Sequence, residues 1–369
     1  MTDTIIYYGG FALPDKNAAA NRVVSNGKIF ETLGYNVVFL GSDYENGSFS
    51  GVKALSGNMF SEAHPAGVTQ WLKQILLFKN LKKLVGEYKN IRLVILYNVP
   101  FVTLCLVKSF LKKRHIEVAY DCTEWTQFTE GSFIKKLFKY IDEFFVRRFT
   151  HKVVKRVIVI SKMMEQAYKK NTRVLKLPPL VDLTDEIWHQ KTEKDKDRFV
   201  FCFAGFPGGN KENLDKVAEA FLKLDDKKTV LKIAGLEQEQ FCAMYPYIEL
   251  SQNIEFLGKL SHRESIRQIL SGDCYVFVRP SDRRNNAGFP TKFAESFTCG
   301  STIITTDVSD IKEYAKKTDR CIVLDTTDSE VLCNAMKKVM QEIHSQNKKV
   351  LRRDFDYKNY IDDTRFWLN

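Results

Sequence analysis

Apolar and polar positions along the chain switch between two periods, and the switches mark out its elements. Thr4–Tyr8 and Asn36–Leu40 are short apolar runs of strand length. Between them Val23, Val24, Ile29 and Leu33 fall on one face of a helix. Gly9-Gly10 breaks the first strand, so the opening is dinucleotide-like, but it lacks a full Gly-x-Gly-x-x-Gly. Residues 45–66 are polar and Gly-containing and predict a loop or small hairpin. Trp71–Tyr88 predicts one basic amphipathic helix, Arg92–Tyr97 a strand and Phe101–Lys113 a helix. Glu117–Tyr120 predicts a strand that runs into Asp121-Cys122-Thr123-Glu124-Trp125. Phe133–Val157 interleaves aromatic and basic residues at helical spacing; Ile158–Ser161 then reads as a strand, Met163–Lys170 as a helix and Val174–Leu177 as a strand.

A charged, weakly patterned linker at 182–197 separates this half from a second series. Its first strand, FVFCFAG, ends at Gly205, and the loop PGGNKENLD precedes a helix over 214–224. TVLKIAGL is a strand, and IEFLGKLSHRESIRQIL a strand, turn and helix. Cys274–Val278 predicts a buried strand ended by Arg279-Pro280, and SDRRNNAG a polar loop. Pro290 suits a first helical position, Thr291–Cys299 continues the helix, Gly300 closes it and Ser301–Thr305 is the next strand. CIVLD, a helix over Ser329–His344 and an amphipathic Phe355–Leu368 complete the chain. Alternating β and α in both halves predicts an α/β protein of two doubly wound, Rossmann-like parallel sheets facing across a cleft. The domains expected are 1–181 and 182–354, with 355–369 returning to the first.

Candidate chemistry gathers in loops that end strands and open helices. A Gly-containing turn aimed at a helix N-terminus suits a phosphate, and two occur: Gly208-Gly209-Asn210-Lys211, and Gly288-Phe289 before Thr291. Lys292 places a cation in a first turn where the helix dipole disfavours one without an anion; Glu295 lies three residues on. Cations beside a carboxylate suit a sugar nucleotide, the cations for its diphosphate and the carboxylate for ribose hydroxyls. In the first half, Asp121 and Glu124 follow a strand's C-terminal end, where open α/β sheets place their chemistry. A Glu124 that caps a helix or pairs with a Lys is the plainer alternative.

Charge sharpens the picture. Residues 1–190 hold 27 Lys+Arg against 17 Asp+Glu, a net +10, whereas the remainder holds 29 against 28. The excess points to an anionic partner for the first half, with a solvated face as the alternative. The aromatic and basic interleaving of Phe133–Val157 fits a core helix with wet cations or one resting on an anionic lipid interface. No nucleic-acid module signature accompanies it, so no nucleic-acid partner is expected. MTDTIIYYGG has no basic n-region, and the apolar run Leu93–Val107 is interrupted by Asn98 and Pro100. A cytoplasmic protein is expected, peripheral on the inner face of the plasma membrane if the lipid reading holds. The eight Cys are scattered without a Cys-x-x-Cys pair, which argues for reduced thiols and against zinc. No Gly-x-Ser-x-Gly, His-Glu-x-x-His or Walker loop occurs, which excludes hydrolases and NTPases built on them. Asp354-Phe355-Asp356 is an Asp-x-Asp triplet in a C-terminal, helical context unsuited to a metal-dependent transferase.

The stretch AGFPTKFAESFTCGSTIITTDVSDIKEY resembles the donor-binding segment of glycosyltransferase family 4 enzymes of the GT-B fold. Glu295 matches the second Glu of their Glu-x7-Glu pattern and Glu313 the late one; Ala287 stands at the first. A bacterial subgroup with Ala-Gly-Phe-Pro-Thr-Lys-Phe-x-Glu is more similar. The resemblance extends to Gly9-Gly10, to Asp-Cys-Thr-Glu-Trp and to VIVIS…LPPLVD. It implies transfer of a sugar from a nucleotide diphosphate-sugar to a hydroxyl of a glycan acceptor, with retention and without a cofactor or metal. It assigns Gly205, Asn210, Lys211, Arg279, Gly288, Phe289, Lys292 and Glu295 to the donor, with Phe206 where the family has an Arg. Asp121 and Glu124 would act on the acceptor side. Gly9, Gly10, Asn17 and Arg22 would line the cleft, with a helix cap and a surface Arg as the plainer alternatives for the last two. A lipid-linked acceptor in surface polysaccharide synthesis fits the basic first half. A non-catalytic partner subunit and a sugar-nucleotide epimerase remain alternatives, the former because of Ala287.

Overall fold

The computed structural model describes residues 2–13, 16–43, 50–53, 58–63, 67–125, 133–205, 211–342 and 349–369. The chain forms two units, Met1–Asp182 with Asp356–Asn369, and Leu183–Phe355.

The first unit opens with β1 (Thr4–Ala12), α1 (Ala18–Thr32) and β2 (Asn36–Asp43). β1 does not stop at Gly9. It continues to Ala12 across a register shift after Tyr8, so Gly9 and Gly10 lie within a strand. The Gly pair fails as a breaker because β1 is central, hydrogen-bonded on both sides, and Gly9 sits opposite Tyr97. A Cβ on Gly9 would meet the Tyr97 carbonyl at 2.4 Å, so only glycine permits this pairing. Of residues 45–66, read as a loop or small hairpin, the described parts form two strands, β3 (Ser50–Lys53) and β4 (Asn58–Ala63), antiparallel to each other.

The expected single helix over Trp71–Tyr88 is two, α2 (Val68–Leu77) and α3 (Lys79–Glu87). Phe78 takes a left-handed conformation (φ 34°) between them and is buried. Burying that ring outweighs helix continuity, which the amphipathic period alone could not reveal. Next come β5 (Ile91–Tyr97), α4 (Phe101–Lys112), β6 (Glu117–Cys122), α5 (Phe133–Val153), β7 (Arg156–Val159), α6 (Lys162–Tyr168) and β8 (Arg173–Lys176). The eight strands run β3-β4-β2-β1-β5-β6-β7-β8, parallel except for β3. Their apolar side chains, among them Tyr7, Phe39 and Ile95, pack against Val23 and Phe30 of α1.

In the second unit the expected linker contains a 3₁₀ turn, Glu186–His189, that buries Trp188. The series follows as β9 (Phe199–Ala204), α7 (Leu214–Leu224), β10 (Thr229–Ala234), α8 (Gln238–Met244), β11 (Ile254–Phe256), α9 (His262–Ser271) and β12 (Cys274–Val276). β12 is shorter than expected, and the SDRRNNAG loop holds a short helix, α10 (Arg283–Ala287), capped by Asp282. α11 (Thr291–Thr298) starts after Pro290, which is its cap rather than its first residue. β13 (Thr302–Thr306), α12 (Ile311–Ala315), β14 (Cys321–Leu324) and α13 (Ser329–Glu342) complete the unit. All six strands are parallel, in the order β11-β10-β9-β12-β13-β14. The order reverses between β9 and β12, which is where a doubly wound sheet opens a crevice at its strand C-termini.

The Asp354-Phe355-Asp356 triplet is not helical. Phe355 is fully buried, stacked on Tyr314 with centroids 4.5 Å apart. Asp356 instead caps a 3₁₀ turn (Tyr357–Tyr360), and α14 (Ile361–Leu368) then packs on the first unit. Arg156 fastens it, its guanidinium donating to the carbonyls of Trp367 (3.1 Å) and Leu368 (2.8 Å). All eight Cys are free thiols. Among the described residues no helix is long and apolar enough to cross a membrane.

Candidate functional site

Three of the second unit's candidate residues, Gly205, Arg279 and Lys292, gather beside the reversal point. Gly205 follows β9 with φ +112°, a conformation that favours glycine. A Cβ there would lie 2.8 Å from Lys292 Cε, so the glycine leaves the space through which the lysine passes. Lys292, in the first turn of α11, also lies 5.1 Å above the Phe203 ring, a cation–π contact. Arg279 follows β12, where its backbone N–H donates to Thr306 Oγ1 at 2.8 Å and its carbonyl accepts from the same hydroxyl at 2.7 Å.

These two cations converge on Glu212, a residue the sequence did not single out. Arg279 donates to Glu212 Oε1 through Nε at 3.2 Å and Nη2 at 2.5 Å. Lys292 Nζ donates to Oε1 at 3.1 Å and lies 2.9 Å from Oε2, as an ion pair without the angle for a second hydrogen bond. The Glu212 side chain is 2 % exposed and those of Arg279 and Lys292 are 7 % and 13 % exposed. Burial alone would raise the Glu212 carboxyl, but Lys292 and Arg279 outweigh it and hold it below the usual carboxylate range. Burial pushes the Lys292 ammonium below its ordinary value, and Glu212 only partly offsets this. One carboxylate between two cations leaves the cluster with a net positive charge. Lys211, half-buried, directly precedes Glu212. Asn210 lies outside the described residues, as do Gly208 and Gly209.

Glu295 sits one turn beyond Lys292 on α11. Its Oε1 is 3.0 Å from His262 Nε2, on the first turn of α9. The buried Trp188 ring stands edge-on to His262, centroids 6.4 Å apart. Gly288 ends α10, and its carbonyl accepts from the Ser309 hydroxyl, which fixes the backbone ahead of α11. Phe289 is buried among Phe293, Tyr314 and Phe355, so its ring belongs to the core. Ala287 is fully buried.

In the first unit, Asp121 is the next-to-last residue of β6 and has no exposed surface. It accepts from Tyr7 Oη at 2.6 Å, Arg22 Nη2 at 2.9 Å and Asn26 Nδ2 at 3.4 Å. Arg22 is not a surface residue; it also donates to the Leu177 carbonyl at 2.7 Å, tying α1 to the segment after β8. Asn17 is the N-cap of α1, accepting from the Ala20 N–H at 2.8 Å. Glu124 is exposed, three residues beyond the buried Asp121, and Gly10 is exposed with open space where a Cβ would stand. Asp121, Arg22 and Asn26 thus form an internal network, and Glu124 faces solvent. Among the described residues no group of three or more His, Cys, Asp or Glu is placed to hold a metal ion.

These features define a class: the fold is GT-B, two parallel-sheet α/β units. Residues 184–355, the second unit, match the family described as glycosyl transferases group 1, so this unit carries a glycosyltransferase-family domain. The whole chain is similar in structure to sucrose-phosphate synthase from Thermosynechococcus elongatus, at 11 % identity and TM-score 0.69, covering 100 % of this chain and 95 % of that one. An α,α-trehalose-phosphate synthase (UDP-forming) from Burkholderia xenovorans, in complex with glucose-6-phosphate, matches at 9 % identity and TM-score 0.69, with 99 % of each chain covered. HepE of Anabaena, in complex with UDP and glucose, matches at 12 % identity and TM-score 0.66, covering 100 % of this chain and 99 % of that one. No curated protein matches the chain in sequence.

Proposed function

We propose that the protein transfers a sugar from a nucleotide diphosphate-sugar to a hydroxyl of a glycan acceptor, in the manner of family 4 glycosyltransferases. The observation that carries this reading is the convergence of Arg279 and Lys292 on Glu212 beside the sheet's reversal point, with Glu295 one turn along the helix from Lys292, within the unit that matches the family. The anomeric carbon–oxygen bond to the diphosphate breaks, a bond to the acceptor oxygen forms, and the acceptor proton leaves with the diphosphate. Negative charge grows on that leaving group, and preorganised buried cations stabilise it as it grows. Lys211, Lys292 and Arg279 take this part, with Glu212 holding the last two in place; no metal or cofactor is required. Glu295 accepts from the ribose hydroxyls. Glu124, exposed two residues beyond β6, is the acceptor-side carboxylate, and buried Asp121 holds that strand end through Arg22. The configuration is retained, and Ala287 replaces the first Glu of the family's pattern.

The acceptor is a lipid-linked sugar of a growing surface polysaccharide, handled by a peripheral enzyme on the inner face of the plasma membrane. The +10 excess of the first 190 residues supports this.

A thermal-shift panel of UDP, GDP, ADP, CMP and their sugars tests the donor reading. One nucleotide is expected to raise the melting temperature of the wild type but not of Lys292→Ala or Glu295→Ala. Silence across the panel would overturn it, and binding without transfer would favour the non-catalytic partner.

A further inference from the structure

We propose that the joined outer face of α2, α4 and α5 docks onto an anionic lipid bilayer. The three helices form one surface. Trp71 of α2 meets Phe138 of α5 edge-on at 5.8 Å, and Phe101 of α4 stacks on Phe145 of α5 at 5.6 Å. Large apolar side chains stand out from it: four on α2, two on α4 and six on α5, twelve of the eighteen exposed among the described residues. Phe138 is 50 % and Tyr140 61 % exposed, although neither helix pattern nor sheet packing requires aromatic rings in water.

The charge on the same helices has one sign. α2 and α4 carry no Asp or Glu. The two acids of α5 turn inward: Asp142 accepts from the Phe101 N–H at 2.7 Å, and Glu143 is buried. The exposed charges are Lys73, Lys112, Lys139, Arg147, Arg148 and Lys152. An apolar face with interleaved cations and no exposed carboxylate matches a bilayer of anionic headgroups over acyl chains. A second copy of this chain fits worse, because a two-fold contact would bring like charges together. A nucleic acid would satisfy the cations but leave the aliphatic side chains without a partner. α5 is 21 residues long, but its charges keep it on the surface rather than across the bilayer.

This inference deepens the acceptor reading and rests on it for the use of the surface. It is tested separately from nucleotide binding, by co-sedimentation of the full chain with phosphatidylcholine vesicles, with and without phosphatidylglycerol. Binding is expected only with phosphatidylglycerol, weakening as salt rises. Each cation removed should weaken partitioning about fivefold, so Arg147→Ala with Arg148→Ala should cost about 25-fold. Leu137→Gln with Phe144→Gln should abolish it and leave the melting temperature and nucleotide response intact. Equal, negligible binding to both vesicles would overturn the inference, as would binding that survives both pairs of substitutions. So would a dimer in sedimentation velocity that ignores lipid and dissociates in the Leu137/Phe144 variant.

Discussion

Glu212 decides how the two central cations are used. Buried beside Arg279 and Lys292, it is stable as a carboxylate only because both cations face it. Glu212→Gln leaves two buried cations without a counter-charge. It should cost about 3–5 kcal/mol of the second unit's stability, read from denaturant unfolding. The pH dependence follows from the sign of the shift. The folded carboxyl titrates below its unfolded value, so its stabilisation is complete above the ordinary carboxylate range and is lost as pH falls through the lowered value. Glu212→Gln should flatten that acid limb. Lys292 has the opposite exposure to pH: its ammonium deprotonates below the ordinary 10.5, so affinity for the nucleoside diphosphate should fall before free lysine titrates. An affinity constant up to pH 10.5 would contradict that. His262 should matter through Glu295. His262→Ala is expected to weaken ribonucleotides more than their 2′-deoxy analogues, which calorimetry would show as a narrowed preference. The sequence pointed to Arg279, Lys292 and Glu295 through their loop and helix positions. It could not show Glu212 or His262, because their partners lie 67, 80 and 33 residues away.

The elements were readable where one face is simply buried. The alternation in the second half marked the strands and helices around the reversal point to within a few residues, except for the short α10, which lies in a segment read as a polar loop. It failed where a single side chain overrode a periodic pattern, as Phe78 does in breaking α2 from α3. It failed again where glycines that look like a turn serve a close strand contact, as Gly9 does against Tyr97. The caps can be checked one by one. Asn17→Ala removes the acceptor for the Ala20 N–H and should cost ~1 kcal/mol in chemical denaturation, with no change in nucleotide affinity. Loss of α14 is more severe. Truncation after Tyr360 uncovers Arg156 and the apolar surface under Trp367 and Leu368, so the first unit should melt at lower temperature. An unchanged melting profile would show that α14 is dispensable.

At the level of the whole molecule, the two units differ in what they carry. The second matches a glycosyltransferase family and holds the buried cations; the first carries the charge excess and the apolar face of α2, α4 and α5. The proposed function assigns the leaving diphosphate to the second unit's cations and the acceptor-side carboxylate to Glu124 of the first. The most direct test is release of nucleoside diphosphate from the sugar nucleotide that the panel selects, in the presence of acceptor. Wild type should release it catalytically. Lys292→Ala should be slower by about 100-fold or more, the scale for losing one preorganised group at a developing charge. Equal rates for wild type and Lys292→Ala, or no release by either, would contradict the account.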